Sequence, residues 1–225
     1  MESFTYSDFI KYFFDRSDQG KNEKWFFQED YEDPVYNPDD PLSNKTLFIR
    51  YFCMAFQEIE KLSKAFSEKQ FFCGLQYMID SNCGGSFPEY FFTEEVPLSD
   101  RVKAVSLMFE VFEKVFDKVC SNNPEPEDLG EISYNRLCFM WWDMFSTEAM
   151  DHAPDIKQIS YAILKNLDKI LSLDNVMCKK SALHGLGHLC SDYLEKIEGI
   201  FNCHEKEIPE CLQEYASRAI RGYVE

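Results

Sequence analysis

The sequence predicts an all-α fold, and we interpret its architecture as an α-solenoid of antiparallel helix pairs with eight to nine helices. Apolar residues recur at intervals of three and four along most of the chain, and no long stretch alternates as a strand does. The 225 residues are 45% hydrophobic and 16% aromatic, which is enough apolar material for a sizeable core. Short turns between the predicted helices favour antiparallel neighbours that stack side by side.

The first 45 residues are predicted to form a separate N-terminal part, ahead of a helical-repeat domain at residues 46–225. An aromatic helix is expected over residues 4–15. An acidic, proline-containing stretch over residues 28–41 predicts a loop or surface arm. The candidate partner-binding carboxylates of this arm are Asp30, Glu32, Asp33, Asp39 and Asp40.

Three helices are predicted in the first half of the helical-repeat domain, over residues 46–66, 68–80 and 99–120. Ser99 is the expected N-cap of the third helix. Its apolar stripe consists of Val102, Val105, Phe109, Phe112, Phe116 and Val119. Further apolar residues widen that stripe, so we expect this helix to be buried on more than one side.

The second half of the domain is predicted to contain five more helices, after an acidic loop at residues 121–131. They are expected over residues 133–146, 155–173, 175–190, 191–202 and 207–221. Asn175 is the expected cap of the third of these helices.

The charge balance is strongly acidic, with 40 Asp and Glu residues against 23 Lys and Arg and a net charge of −17. Such a chain repels phosphate backbones, so direct nucleic-acid binding is not expected. The excess of carboxylates either keeps the protein in solution or attracts a basic partner protein.

Cysteine usage and the lack of targeting signals indicate a cytoplasmic protein. The nine cysteines are an odd number without a CxxC pair, which favours reduced thiols. The N-terminus lacks the basic and apolar regions of a signal peptide. No stretch is apolar over the length that a transmembrane helix needs, so no membrane association is expected.

Two adjacent tryptophans form the first candidate contact site. On a helix, Trp141 and Trp142 point about 100° apart, so one can be buried while the other reaches the surface. Trp141 fits the buried stripe, which makes Trp142 and Asp143 candidates for an aromatic and acidic contact with a basic partner. The alternative is that both indoles are structural and that Asp143 accepts hydrogen bonds from them or from a helix end.

The second candidate site is the pair His184 and His188, which stand one helical turn apart and face the same way. This spacing can hold zinc, but further ligands would have to come from Cys178, Cys190, Asp192 or a distant carboxylate. Two other interpretations remain open. The histidines can bond to carbonyls or carboxylates while Gly185 and Gly187 let a neighbouring helix approach, or they can face a partner.

Two segments carry a resemblance to known proteins. They are Cys138-Phe139-Met140-Trp141-Trp142-Asp143 and Cys178-Lys179-Lys180-Ser181-Ala182-Leu183-His184-Gly185-Leu186-Gly187-His188. They resemble a family of bacterial proteins of uncharacterised activity that carry CxMWWD and CxxSALHGLGH motifs, and the second motif resembles the inner helix of HEAT-like repeats. The resemblance covers residues 95–225 and implies a HEAT-like intracellular protein of the kind that acts as a toxin inhibitor or immunity partner.

These observations predict a non-enzymatic acidic binding protein without a metal or other cofactor. Its expected role is that of an immunity protein that occludes a bacterial toxin, for example a nuclease, through an acidic surface. The alternatives are a metal-binding enzyme that uses His184 and His188, and a scaffold that oligomerises through aromatic faces. No GxSxG, phosphate-loop or dinucleotide-binding motif is present.

Overall fold

The all-α prediction is confirmed. The computed structural model describes residues 4–16, 26, 37, 39–81, 87–125, 132–145, 153 and 155–224, and their regular structure is entirely helical. The α-helices in these residues are α1 Tyr6–Phe14, α2 Lys45–Gln57, α3 Ile59–Ala65, α4 Glu68–Ile79, α5 Leu98–Leu107, α6 Phe109–Val111, α7 Asp117–Val119, α8 Tyr134–Phe139, α9 Trp141–Met144, α10 Ile156–Leu171, α11 Val176–His188, α12 Cys190–His204 and α13 Gln213–Ala219. A π-helical segment, Phe112–Phe116, joins α6 to α7, and 3₁₀ turns occur at Pro41–Ser43, Phe87–Phe91, Glu205–Glu207 and Glu210–Leu212.

The described residues contain more helices than the eight or nine predicted because several predicted helices are interrupted. The helix expected over residues 46–66 breaks at Glu58, whose φ of −111° and ψ of 22° leave the helical region. The helix expected over residues 133–146 is divided at Met140. The long helix at 99–120 passes through the π-helical segment. Apolar spacing continues across each interruption, so the periodicity alone does not reveal it.

Helix α1 is packed into the same hydrophobic core as the helices that follow it. Thr5 caps it, and Asp8 completes the capping box. The buried ring of Phe9 lies 5.6 Å, between centroids, from Phe48 of α2, and that of Phe13 lies 5.9 Å from Tyr77 of α4. The N-terminal aromatic helix is therefore part of the main core, although the predicted boundary after residue 45 stays a prediction.

Helix α11 occupies an interior position, whereas α5 has an exposed face as well as a buried one. Helix α5 contacts both α2 and α10, and Val105, Phe112 and Phe116 of the predicted stripe are buried. Burial on more than one side is not confirmed for the whole run, because Val102 and Phe109 are partly exposed and Val119 is 51% exposed. Helix α11 contacts α8, α9, α10, α12 and α13, and every residue from Met177 to Gly187 is buried. These contacts do not establish antiparallel pairing, so the HEAT-like solenoid stays a prediction.

No helix in the described part of the chain has both the length and the apolar composition needed to cross a membrane.

The buried cysteines are expected to resist thiol reagents in the native protein. The eight described cysteines form no disulfides with one another, and Cys203 and Cys211 are exposed while the other six are buried. Burial raises the pKa of Cys53 to about 11 and also raises the pKa of Cys138. Two pKa units alone reduce the reactive thiolate about 100-fold.

Peptide mapping after brief alkylation at neutral pH measures this difference. We expect modification at Cys203 and Cys211, with Cys53 and Cys138 modified only after denaturation. Equal modification of Cys138 and Cys211 in the folded protein would contradict the packing described above.

Candidate functional site

The candidate site begins with α11, because this helix carries both histidines of the predicted pair. The side-chain oxygen of Asn175 accepts hydrogen bonds from the backbone N–H groups of Met177 and Cys178 at 2.9 and 3.2 Å. This confirms Asn175 as the predicted N-cap. From that start, the helical repeat places His184 and His188 one turn apart on one face.

Two glycines allow other elements to approach α11 closely, as one of the sequence interpretations expected. A Cβ atom on Gly185 would lie 2.8 Å from both the Trp142 ring and Leu167, and a Cβ on Gly187 would lie 2.0 Å from Val224. Trp142 therefore packs directly on the backbone of α11, which draws α9 against it. The next residue along α9, Asp143, then reaches the histidines.

Asp143, His184 and His188 form one compact cluster. Oδ2 of Asp143 lies 2.9 Å from Nε2 of His184, and Oδ1 lies 2.6 Å from Nε2 of His188. The two Nε2 atoms are 3.2 Å apart. The carboxylate that meets the histidines is thus 41 residues from His184, whereas Cys178, Cys190 and Asp192 do not join the cluster.

Tyr215 of α13 adds a fourth group. Its hydroxyl lies 2.6 Å from Nδ1 of His184 and 3.5 Å from the backbone carbonyl of Val224, to which it can donate. A hydroxyl can donate and accept at once, so its oxygen can also accept a hydrogen bond from an N–H group at Nδ1 of His184. Tyr215 was not singled out as a site residue from the sequence, because its sequence position gives no sign that it meets α11.

The histidines keep Asp143 ionised. Burial alone would raise the pKa of this carboxyl, but hydrogen bonds from His184 and His188 outweigh that effect and hold its pKa well below the usual range. For Tyr215, burial and the nearby charge of Asp143 raise the pKa of the hydroxyl, which therefore stays protonated at neutral pH.

The cluster opens into a pocket of about 590 Å³. Asp143 and His188 are partly exposed, whereas His184 is only 5% exposed. Two cations, Lys180 and Arg218, also line the pocket. A second pocket of about 780 Å³ lies on the other side of His188 and Val224, which line both pockets.

The prediction of an exposed Trp142 is wrong. The indole is 4% exposed, and it stacks on Phe112 with centroids 5.9 Å apart and an interplanar angle of 9°. Trp141 is fully buried as expected. Both indoles are buried because α9 is packed between the π-helical segment and α11, so that two of its faces are covered. The indole Nε1 atoms have no hydrogen-bond partner among the described residues. Asp143 therefore does not accept a hydrogen bond from either indole, and its oxygens contact the two histidines.

Contact between His184 and a partner stays a prediction, and the fold leaves little of its side chain exposed. Its ring is buried, lies 4.5 Å from Phe139 between centroids and is bonded on both nitrogens. Asp143 is likewise engaged by two histidines. His188 and Asp143 keep side-chain exposures of 27% and 25%, so a partner or ligand can reach both of them.

The acidic arm predicted from the sequence is only partly described. Asp30, Glu32 and Asp33 lie outside the described residues. Asp39 is exposed. Asp40 is the N-cap of the 3₁₀ turn that follows it. Its Oδ1 accepts a hydrogen bond of 2.8 Å from the backbone N–H of Leu42.

A second concentration of exposed carboxylates occurs at the C-terminal end of the described chain. Residues 191–214 contain seven acids and two lysines, Lys196 and Lys206, which leaves a formal charge of −5 with His204 neutral. All seven acids are exposed, and we call this set the C-terminal acidic surface: Asp192, Glu195, Glu198, Glu205, Glu207, Glu210 and Glu214. This region was predicted as helices from the sequence, and its acids were not selected as site residues.

An exposed leucine lies within this surface. Leu194 is 47% exposed and lines the 780 Å³ pocket together with Glu198. An apolar side chain beside carboxylates is the combination that was expected at Trp142.

Comparisons with models of protein families, with curated proteins and with solved structures find no match to this chain. The resemblance to the bacterial family with CxMWWD and CxxSALHGLGH motifs therefore stays a prediction.

Proposed function

We propose that this chain is a non-enzymatic binding protein that captures a basic protein through the C-terminal acidic surface. The observation that carries the proposal is the exposure of all seven carboxylates of that surface against only two lysines. A net charge of −17 adds a long-range field of the same sign. Such a field raises the rate at which a basic partner is encountered.

The specific form of the proposal is a cytoplasmic immunity protein for a bacterial toxin. If the toxin is a nuclease, its substrate groove is basic because it binds phosphates. Carboxylates on a protein surface can occupy such a groove in place of phosphates and exclude the substrate. A HEAT-like arrangement of antiparallel helix pairs would present the acids along one extended surface.

Leu194 supplies the apolar anchor in this proposal. Binding energy at protein interfaces is concentrated in a few central side chains, which neighbouring residues surround and shield from water. Leu194 lies among Asp192, Glu195 and Glu198 and borders a pocket, so it meets this description. In this proposal Leu194 has the anchoring role that the sequence analysis gave to Trp142, which is buried in the core.

Charge reversal on α12 is expected to slow association with the partner. The first partner to test is the product of the adjacent reading frame. For the double variant Glu195→Lys and Glu198→Lys, we expect an association rate about tenfold lower at about 0.05 M salt. At about 0.5 M salt the difference is expected to shrink, because the Debye length falls to a few ångströms. Stopped-flow fluorescence measures both rates.

The matched control reverses acids elsewhere on the chain, with Glu94→Lys and Glu113→Lys. Both are exposed and neither belongs to the C-terminal acidic surface. The control changes the net charge equally, so a smaller effect isolates the contribution of that surface. The proposed binding surface is contradicted if the association rate does not change with salt concentration, or if it falls equally in both double variants. An adjacent product that is not basic, or whose toxicity this chain does not suppress, contradicts the immunity role.

A further inference from the structure

The side chains of Asp143, His184 and His188 bring possible ligand atoms close enough together to surround one metal ion. Zinc-bound nitrogen and oxygen atoms lie about 2.0–2.2 Å from the ion, so adjacent ligands of a tetrahedral site are separated by about 3.3 Å. The two Nε2 atoms are 3.2 Å apart, and the carboxylate oxygens lie 2.9 and 2.6 Å from them. The carboxylate must move away from the two nitrogens for an ion to enter, because its oxygens lie closer to them than 3.3 Å.

One cation can take the place of the hydrogen bonds that join Asp143 to the two histidines. If no ion is bound, both rings must carry a proton on Nε2 to donate to the oxygens of Asp143. Two N–H groups then face the same small space, 3.2 Å apart. One cation accepts lone pairs from both nitrogens and from the carboxylate, so it satisfies all three groups together.

The outer contacts of His184 are those of a metal-bound imidazole. A histidine that binds metal through Nε2 usually donates its Nδ1–H to an oxygen, which fixes the ring and its tautomer. The hydroxyl of Tyr215 lies at that position, 2.6 Å from Nδ1, and can donate its own hydrogen bond to the carbonyl of Val224. The close contact of Trp142 with Gly185 holds α9 against α11 and so preorganises the site.

We propose that Asp143, His184 and His188 bind one divalent transition-metal ion of the Zn²⁺ class. Among the described residues, these three offer ligand atoms that all lie within 4.8 Å of one another. Two imidazoles and one carboxylate suit zinc and similar ions, whereas calcium and magnesium prefer oxygen ligands alone. All three residues line the 590 Å³ pocket together with Lys180 and Arg218, so a water molecule or an anionic group in that pocket would complete the coordination of the ion.

The ligand set is tested by measuring Zn²⁺ alone against the full-length chain purified without a histidine tag. We expect about one zinc ion per chain when the metal content is measured by elemental mass spectrometry. Competition with a coloured chelator gives the affinity for zinc. His188→Ala and Asp143→Asn are each expected to lower the affinity at least about 100-fold. Tyr215→Phe keeps all three ligands and is expected to lower it about 10-fold.

His204→Ala is the matched control. His204 is also bonded to two carboxylates, with Nε2 2.8 Å from Asp168 and Nδ1 3.0 Å from Glu207, but it does not belong to the cluster. We expect it to bind zinc as the unaltered chain does. Circular dichroism of each variant shows whether the protein still folds. His188→Gln is a second substitution at the same ligand, so that loss of the ligand atom can be distinguished from loss of folding.

Absence of zinc binding at about 100 μM free ion overturns the proposal. Undiminished binding by folded His188→Ala or His188→Gln protein also overturns it, because the ion must then lie elsewhere. Both results leave the proposed capture of a basic partner untouched, since that proposal depends on the C-terminal acidic surface.

Discussion

Replacing Trp142 with alanine is expected to lower the free energy of unfolding by about 3–5 kcal/mol. The indole is 4% exposed, stacks on Phe112 and lies against the backbone of Gly185. Its removal leaves a large cavity between the π-helical segment and α11. Gly185, which faces this cavity, has no side chain that could fill it. Chemical denaturation followed by circular dichroism gives the unfolding free energies.

The control for this prediction is Tyr223→Ala. Tyr223 is 68% exposed, so its removal is expected to change the unfolding free energy by less than about 0.5 kcal/mol. If Trp142→Ala costs no more than the control, the indole is not buried, and the surface role that the sequence first suggested for it would return.

Replacing Gly74 with alanine is expected to destabilise the protein by about 3 kcal/mol. A Cβ atom at this position of α4 would lie 2.4 Å from the backbone carbonyl oxygen of Phe13 and 2.6 Å from the Phe14 ring. A backbone atom cannot move aside without shifting the whole of α1. The substitution therefore tests directly whether the N-terminal aromatic helix packs on the rest of the chain.

Gly199→Ala is the matched control, since Gly199 is also inside a helix but a Cβ atom there would meet no other atom within 4 Å. At this position alanine is expected to stabilise by about 0.5–1 kcal/mol, because glycine loses more backbone entropy on folding. Opposite signs for the two substitutions support the packing of α1 on α4. A stabilising effect of Gly74→Ala is incompatible with it.

The helices could be predicted from the sequence because their signals are local. The spacing of apolar residues and the cap at Asn175 lie within single elements. The interruptions at Glu58 and Met140 could not be predicted in this way, since the apolar pattern runs through them. Likewise, nothing in the sequence shows that α1 packs on α4, because that contact joins residues about 60 positions apart.

The candidate site was half visible in the sequence. His184 and His188 share a helix, so their spacing predicts that they face the same way. Their carboxylate partner comes from a different helix, and Tyr215 from a third, so only the fold brings them together. The sequence analysis placed Trp142 at the surface because adjacent residues of a helix point about 100° apart. That argument holds when a helix buries only one face, whereas α9 is covered on two faces.

The most direct test of the metal centre is a crystal structure of the unaltered chain grown with Zn²⁺, with anomalous diffraction recorded at the zinc absorption edge. We expect one strong anomalous peak about 2.0–2.2 Å from Nε2 of His184, Nε2 of His188 and an oxygen of Asp143. A structure in which zinc is absent from that point, or in which Asp143 lies away from both histidines, would contradict the proposed centre.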